Sequence, residues 1–308
     1  MRPVDTNVSI LESCTSLTFF SDVIELFRAE KPLRNVSPPI TIVGNLNGQV
    51  QDLIRILNIK NEKSKKEDGW KQVFATEKFV FLGDYTENGT FNLETICLLF
   101  GLKVLFSSRY VLLRGQQEAS PSPVFLNQLR DRFPGGIGDD IYAKFVTAFS
   151  LLPVAALVDV QLNLKNSYLL LSGALYLNFE HPEKHKYYTD QAVLKFCEKT
   201  QIDLIVRSQE VPPNGFRFLA DKKLITIFSA AAYSNYKNKA AFLRVDKNGA
   251  CSVVQMKPSA HKLRWKEDKR KQAEEPGKNI ESAENSKYVK EPVKKASKET
   301  AEKEQENK

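Results

Sequence analysis

Histidine is scarce in this sequence: His181, His185 and His261 are the only three in 308 residues. His181 and His185 have the i,i+4 spacing of paired ligands on a helix, but Pro182 lies between them among polar residues, and the stretch reads as an exposed loop. Cysteine is nearly as sparse. Cys14, Cys97, Cys197 and Cys251 are far apart and include no C-x-x-C pair, which argues against a zinc ribbon or a disulfide framework and fits a reduced, intracellular protein, cytoplasmic or nuclear. Long apolar runs are missing too. No run reaches membrane length and the first residues lack a secretory apolar core, so no membrane partner is expected and the sequons at Asn7, Asn35 and Asn88 read as accidental. The formal net charge of +8 is a mild bias without a nucleic-acid signature.

What is present divides the chain. Residues 259–308 hold 14 Lys or Arg and 11 Asp or Glu with very few apolar side chains. Such a segment buries too little surface to offset its ordering entropy and is expected to be a disordered charged tail. Its signs are mixed and it has no interleaved aromatics, so it reads as solubilising rather than nucleic-acid binding. Residues 1–19 read as an N-terminal extension, residues 20–258 as the folded domain, and Lys60–Gln72 as an exposed loop within it.

The folded part repeats one grammar, in which an apolar run ends in a glycine turn and an amphipathic stretch follows. "ITIVG" leads into "QVQDLIRIL", with Val50, Leu53, Ile54 and Leu57 expected on one helical face. "FVFLGDYTENG", "YVLLRGQQE" and "SYLLLSGA" follow the same rule, and the apolar runs of "IDLIVRSQE" and "LITIFSAAAY" end in polar or small-residue turns. Strands alternating with helices indicate α/β layering, and sites in such folds gather at the carboxyl ends of the strands. The turns there carry Asn45, Asn47, Asp84, Glu87, Asn88, Gln116, Gln117, Glu118, Ser172, Gln209 and Tyr233, with no histidine or cysteine among them. Ser172 has no base nearby in sequence, which argues against a nucleophilic serine. "GNLNG" fits neither a P-loop nor G-x-G-x-x-G.

The ordered series "VGNLNGQVQDL", "FLGDYTENG", "LETICLL", "LLRGQQE", "LPVAALVD", "LSGAL", "DLIVRSQEVPPNGF", "TIFSAAAY" and "CSVVQMKP" resembles the catalytic subunits of the metal-dependent Ser/Thr protein phosphatases, most closely type 1. The resemblance spans roughly residues 20–258 and implies an α/β fold: a calcineurin-like metallophosphatase β-sandwich flanked by helices. The family would use two divalent metals such as Mn, Fe or Zn. Set against its motifs GDxHG, GDxxDRG, GNHE, HGG, RAHQ and SAPNY, Asn45 stands for an aspartate ligand and Asn47 for a histidine ligand. Asp84 keeps the metal-bridging aspartate. Gln116 stands for the asparagine ligand, and Gln117 for the proton-donating histidine. Glu87 stands for the aspartate that orients this donor, and Asn88 for a phosphate-binding arginine. Ser172 and Gln209 replace the last two histidine ligands, while Glu118 and Tyr233 are kept. The stretch between Ser172 and Gln209 is also much shorter than in the family and lacks a second phosphate-binding arginine.

These replacements carry a physical cost for catalysis. Two dications about 4 Å apart repel by roughly 17 kcal/mol at an effective dielectric near 20, and carboxylates must offset that repulsion. Amides are weak neutral donors by comparison. The lost acid is typically worth about 10²–10⁴ in rate, and the lost arginine a bidentate clamp. The expectation is a pseudophosphatase that binds proteins and carries no cofactor. The alternative is a weak, single-metal phosphatase acting through Asp84 and Glu87. The resemblance also implies a sheet-edge groove for short hydrophobic docking motifs of type-1 phosphatase regulators. It maps to Tyr168, Leu204, Phe218, Gly249, Cys251, Val253 and Met256, although Leu204, Phe218 and Cys251 also read as ordinary core.

Overall fold

Three short apolar runs set the centre of the molecule. Ile40–Val43, Phe79–Phe81 and Tyr110–Leu112 are β-branched or aromatic at nearly every position and buried at every position. Strands buried on both faces must be covered on both faces, and the computed structural model, which describes residues 17–59, 74–159, 167–171, 189–260 and 262–264, has that arrangement. These three strands, β2, β3 and β4, are parallel and form one flank of a five-stranded sheet. On the other side of β2, antiparallel β10 (Ala240–Val245) and β11 (Cys251–Met256) complete the order β11-β10-β2-β3-β4.

A six-stranded sheet packs against it. Its strands are β1 (Leu33–Val36), β5 (Ala155–Val158), β6 (Tyr168–Leu171), β7 (Leu204–Arg207), β8 (Phe216–Leu219) and β9 (Leu224–Ile227), in the order β1-β5-β6-β7-β9-β8. Ile42, Val80, Leu82, Val111 and Leu113 from one sheet meet Val158, Leu170, Val206, Ile225 and Ile227 from the other in a dry central layer. Fully burying each such side chain stabilises by roughly 1.5–3 kcal/mol before conformational entropy is subtracted.

Helices cover the outer faces. α1 (Leu17–Arg28), α2 (Val50–Asn58), α3 (Asn92–Leu105), α5 (Pro123–Arg132) and α6 (Ile137–Ser150) join a cluster with the outward side chains of the five-stranded sheet. Its centre is aromatic: Phe20 meets Phe145, and Phe100 meets Phe27 and Phe149, edge-on, Phe100 and Phe145 are tilted, and Phe145 with Phe149, like Phe79, Phe81 and Tyr110, stack. α4 (Gln116–Ala119) is a single turn beside the site described below. α7 (Asp190–Thr200) is capped by the Thr189 hydroxyl, which accepts from the Ala192 N–H at 3.2 Å. It covers the other sheet through Val193 and Cys197 against Ile205 and Leu224. No helix among the described residues is long and apolar enough to cross a membrane.

Two expectations change here. The buried face of α2 is Asp52, Leu53, Ile56 and Leu57, whereas Ile54 is exposed and Val50 half-buried. The helix is rotated because the Asp52 carboxylate points inward to a backbone amide and a lysine, and an apolar-only periodicity cannot see that. The compact unit also runs to Leu263, beyond the boundary expected at 258. Residues 265–308, Lys60–Gln72, Ser172, His181, His185 and His261 lie outside the described residues.

Candidate functional site

The parallel strands of both sheets deliver their carboxyl ends to one place. Asn45 and Asn47 follow β2, Asp84 follows β3, Gln117 follows β4, Ser208 and Gln209 follow β7, and the Ser229–Tyr233 turn follows β9. An isolated bridge between Asn45 and Phe228 joins the ends of the two sheets. The Ser229 N–H donates to Asn45 O at 3.1 Å, and the Leu46 and Asn47 N–H groups donate to Asp84 O at 3.1 and 2.9 Å. The turns are tight: Asn47, Asp84 and Gln209 have φ of 47°, 55° and 98°, a region costly for residues with a β-carbon and typically retained where surrounding structure over-determines it.

Asp84 is the centre of this cluster and is 2% exposed. Its Oδ1 accepts the Gln117 backbone N–H at 2.9 Å. Its Oδ2 accepts the Asn45 amide at 2.7 Å and also the Gln209 side-chain amide. The Asn45 orientation is set independently, because the Gln209 backbone N–H donates to Asn45 Oδ1 at 3.3 Å and the Ser208 hydroxyl donates to the same oxygen. The NH2 end of Asn45 must therefore face Asp84. Burial pushes the Asp84 carboxyl up to about 6, with Glu87 adding repulsion and the Gln117 and Asn45 donors opposing the rise.

Glu118 lies behind Asp84 and holds the backbone of two turns. Its carboxylate accepts the Asp84 and Gly115 N–H groups at 2.8 Å and the Tyr85 N–H at 3.0 Å. A β-carbon at Gly115 would collide with Asp84 N and the Glu118 carboxylate, so this approach requires glycine. Burial, with the Asp84 charge second, pushes Glu118 up to about 8.

The remaining positions form a second group. The Tyr233 hydroxyl donates to Glu87 Oε2 at 2.6 Å and accepts the Asn88 amide at 3.4 Å. Burial raises the Tyr233 phenol, which stays protonated. Asn92 fixes the Glu87 peptide from both sides, accepting its N–H at 3.0 Å and donating to its carbonyl at 2.7 Å. Gln116 and Asn88 are exposed and Gln117 is half-buried. Asn47 is buried with Oδ1 lacking a protein partner. The structure thus brings Asn45, Asp84, Gln117 and Gln209 together, and Glu87, Asn88 and Tyr233 together.

The docking positions divide. Tyr168 and Leu204 lie in the layer between the sheets, and the Tyr168 hydroxyl donates to the Gly249 carbonyl. Met256 belongs to the helix-side cluster. Cys251 and Phe218 are exposed and Val253 half-buried, on edge strands of different sheets. Residues the sequence did not single out include Ser208, Asp52 and Asn238, all buried and bonded to these turns. Asn45 N–H donates to the Ser208 hydroxyl at 2.9 Å, Ala231 N–H to Asp52 Oδ2 at 2.9 Å, and Tyr233 N–H to Asn238 Oδ1 at 3.0 Å. A serine or asparagine in a turn carries no distinguishing pattern in a single sequence.

Two divalent metals do not fit the donor set of the described residues. The Asp84 Oδ2 lone pairs that would face a metal instead accept N–H groups from the two amides standing at ligand positions. A cation would meet the positive ends of those amides. Among the described residues, no group of three His, Cys, Asp or Glu side chains is placed to hold a metal ion.

Comparison with known proteins accounts for the architecture. Residues 18–226 match the calcineurin-like phosphoesterase family. A Caenorhabditis elegans protein described as "Uncharacterized protein F44B9.9" is 37% identical over 236 residues, 76% of this chain and 80% of that protein. The serine/threonine-protein phosphatase PP1-delta of the same organism is 27% identical over 282 residues, 78% of this chain and 86% of its own length. Among solved structures, a protein serine/threonine phosphatase from Saccharomyces cerevisiae with similarity to human phosphatase PP5 superposes with a TM-score of 0.63 at 18% identity, covering 82% of this chain and 91% of that one. The paired sheets, flanking helices and convergent turns are those of the calcineurin-like phosphoesterase family, to which this chain belongs.

Proposed function

We propose that the protein is a non-catalytic Ser/Thr phosphatase-like protein, a pseudophosphatase, whose role is to bind other proteins. The observation that carries this reading is the amide clamp on Asp84, with the N–H groups of Asn45 and Gln209 on the oxygen that a bridging metal would require. Without metal-activated water there is no nucleophile at neutral pH. Gln117 cannot protonate a leaving oxygen, and Asn88 cannot clamp a phosphoryl group with two charge-assisted bonds. The test is hydrolysis of an aryl phosphate and of a phosphoserine peptide with Mn²⁺ present. The expected rate is that of the buffer, unaltered by Asp84→Asn. Turnover abolished by that substitution would establish the alternative, a residual metal-dependent phosphatase.

The binding surface is proposed at the β11 edge. The Asp246 N–H bonds to Ala250 O at 3.0 Å, and antiparallel alternation then turns the backbone groups of Cys251, Val253 and Gln255 away from β10. An extended segment with short hydrophobic docking residues, of the kind carried by regulators of type-1 phosphatase, would add as a further strand. Gln255 Nε2 donates to Asn214 O at 2.9 Å, which brings the segment leading into β8 beside this edge, and the exposed Phe218 ring packs on Phe216. Losing about 40–80 Å² of apolar contact in Phe218→Ala corresponds to roughly 1–2 kcal/mol, about five- to thirtyfold in affinity. Fluorescence anisotropy with a labelled motif peptide measures it, and equal binding by both proteins removes Phe218 from the surface.

A further inference from the structure

The compact unit extends past its compositional boundary because one lysine turns inward. Lys262 is 9% exposed, and its Nζ donates to Asp52 Oδ2 at 3.1 Å and to the Ala231 carbonyl. Asp52 is 1% exposed. It accepts the Ala231 N–H on Oδ2 at 2.9 Å and Arg55 on Oδ1 at 3.0 Å. The Ala231 residue is therefore gripped at both its N–H and its carbonyl by one buried ion pair.

Ala231 begins the turn that presents Tyr233. Ala232 and Ser234 in that turn have φ of 45° and 44°, and neither is a glycine, so the conformation depends on what surrounds it. Asn238 holds the turn from the far side, accepting the Ala232 N–H on its carbonyl at 2.8 Å and the Tyr233 N–H on its side chain at 3.0 Å. The segment carrying Lys262 has its own attachments. Arg55 donates to Lys257 O at 2.9 Å, and Ser259 accepts the Lys262 N–H on its hydroxyl at 3.2 Å and the Leu263 N–H on its carbonyl at 3.1 Å. A lysine this buried keeps its place only when paired, and removing one partner strands the other charge.

We propose that Lys262 is a positioning residue, a latch through which the segment following β11 holds the Ala231–Tyr233 turn in place and keeps the Tyr233 hydroxyl on Glu87. This concerns the turn's conformation and holds whether or not the domain hydrolyses phosphate. Freeing Lys262 would therefore loosen Tyr233.

Hydrogen–deuterium exchange on the full chain tests it, with Lys262→Gln compared to the parent. The amides of Ala231, Ala232 and Tyr233 report directly, since each donates to Asp52 or Asn238. The expected result is exchange about tenfold or more faster across residues 229–236, with protection of β3 and β4 unchanged. Ser259→Ala, which leaves both charges in place and loosens only the lysine's turn, is expected to raise exchange in the same residues by a few-fold and keeps the test available if Lys262→Gln does not fold. Leu263→Ser, at an exposed neighbour, is expected to leave them alone. Unchanged exchange at 229–236 in Lys262→Gln, or a uniform rise over the whole chain, would overturn the proposal.

Discussion

The dry layer between the sheets and the turn cluster at the strand ends obey different rules in this protein. The layer is built mainly from Ile, Val and Leu side chains whose partners are interchangeable by volume. The turn cluster is built from amides, hydroxyls and carboxylates whose partners are not interchangeable. Asn45 must present its NH2 to Asp84 and its oxygen to the Gln209 N–H. The comparison teaches that the framework and the strand-end turns are held by separate sets of residues. In the turn cluster Asp84 is bonded on both carboxylate oxygens, while the buried Asn47 Oδ1 has no protein partner.

Substitutions can sharpen that contrast. The largest expected effect lies in the aromatic centre under the helices. Phe81→Ala would open a cavity among Phe79, Tyr110 and their neighbours and lower unfolding stability by about 3–5 kcal/mol in urea titration. At the turn cluster the expected sign is opposite. Asp84 has its carboxyl raised to about 6 by burial, so the folded protein holds a proton that the unfolded chain, near 3.9, has released. Stability contributed by this group is present at low pH and is lost as pH rises from about 4 to about 6. Asp84→Asn would remove that loss and raise stability at pH 7.5 by on the order of 1–3 kcal/mol, with a flatter stability profile between pH 4 and 6. A destabilised variant would mean that the N–H groups of Asn45, Gln209 and Gln117 on the carboxylate outweigh the cost of its burial. Tyr233→Phe removes one hydrogen bond to Glu87 and is expected to cost about 1 kcal/mol. Gln116→Ala, on an exposed side chain at a family ligand position, is expected to stay within about 0.5 kcal/mol of the parent, and a larger change would show that Gln116 has partners in solution.

Much of the framework was legible. The short apolar runs became β2, β3, β4, β6, β7 and β9, because buried strands announce themselves as short runs of β-branched, aliphatic and aromatic residues. The face of α2 was misjudged because Asp52 is charged and faces inward, and no apolar count gives weight to such a residue. Lys262 was hidden for the same reason, in a stretch whose composition reads as solvated. The site positions were legible only through the ordered motifs and not through local pattern. They come together from turns as far apart as Asn45 and Gln209, and what joins them is strand order. The contacts on Asp84 were not legible: two amides at ligand positions can equally be read as weak ligands, and their placement against Asp84 comes from the three-dimensional arrangement alone.

That placement leads to the most direct test. The full chain, dialysed against Mn²⁺ and then against buffer, can be analysed for bound metal alongside Asn45→Asp, which would replace one N–H donor by a carboxylate oxygen. The account predicts well under one ion per chain for the parent and a measurable gain in Mn²⁺ affinity for the variant. Two tightly held ions in the parent would contradict it.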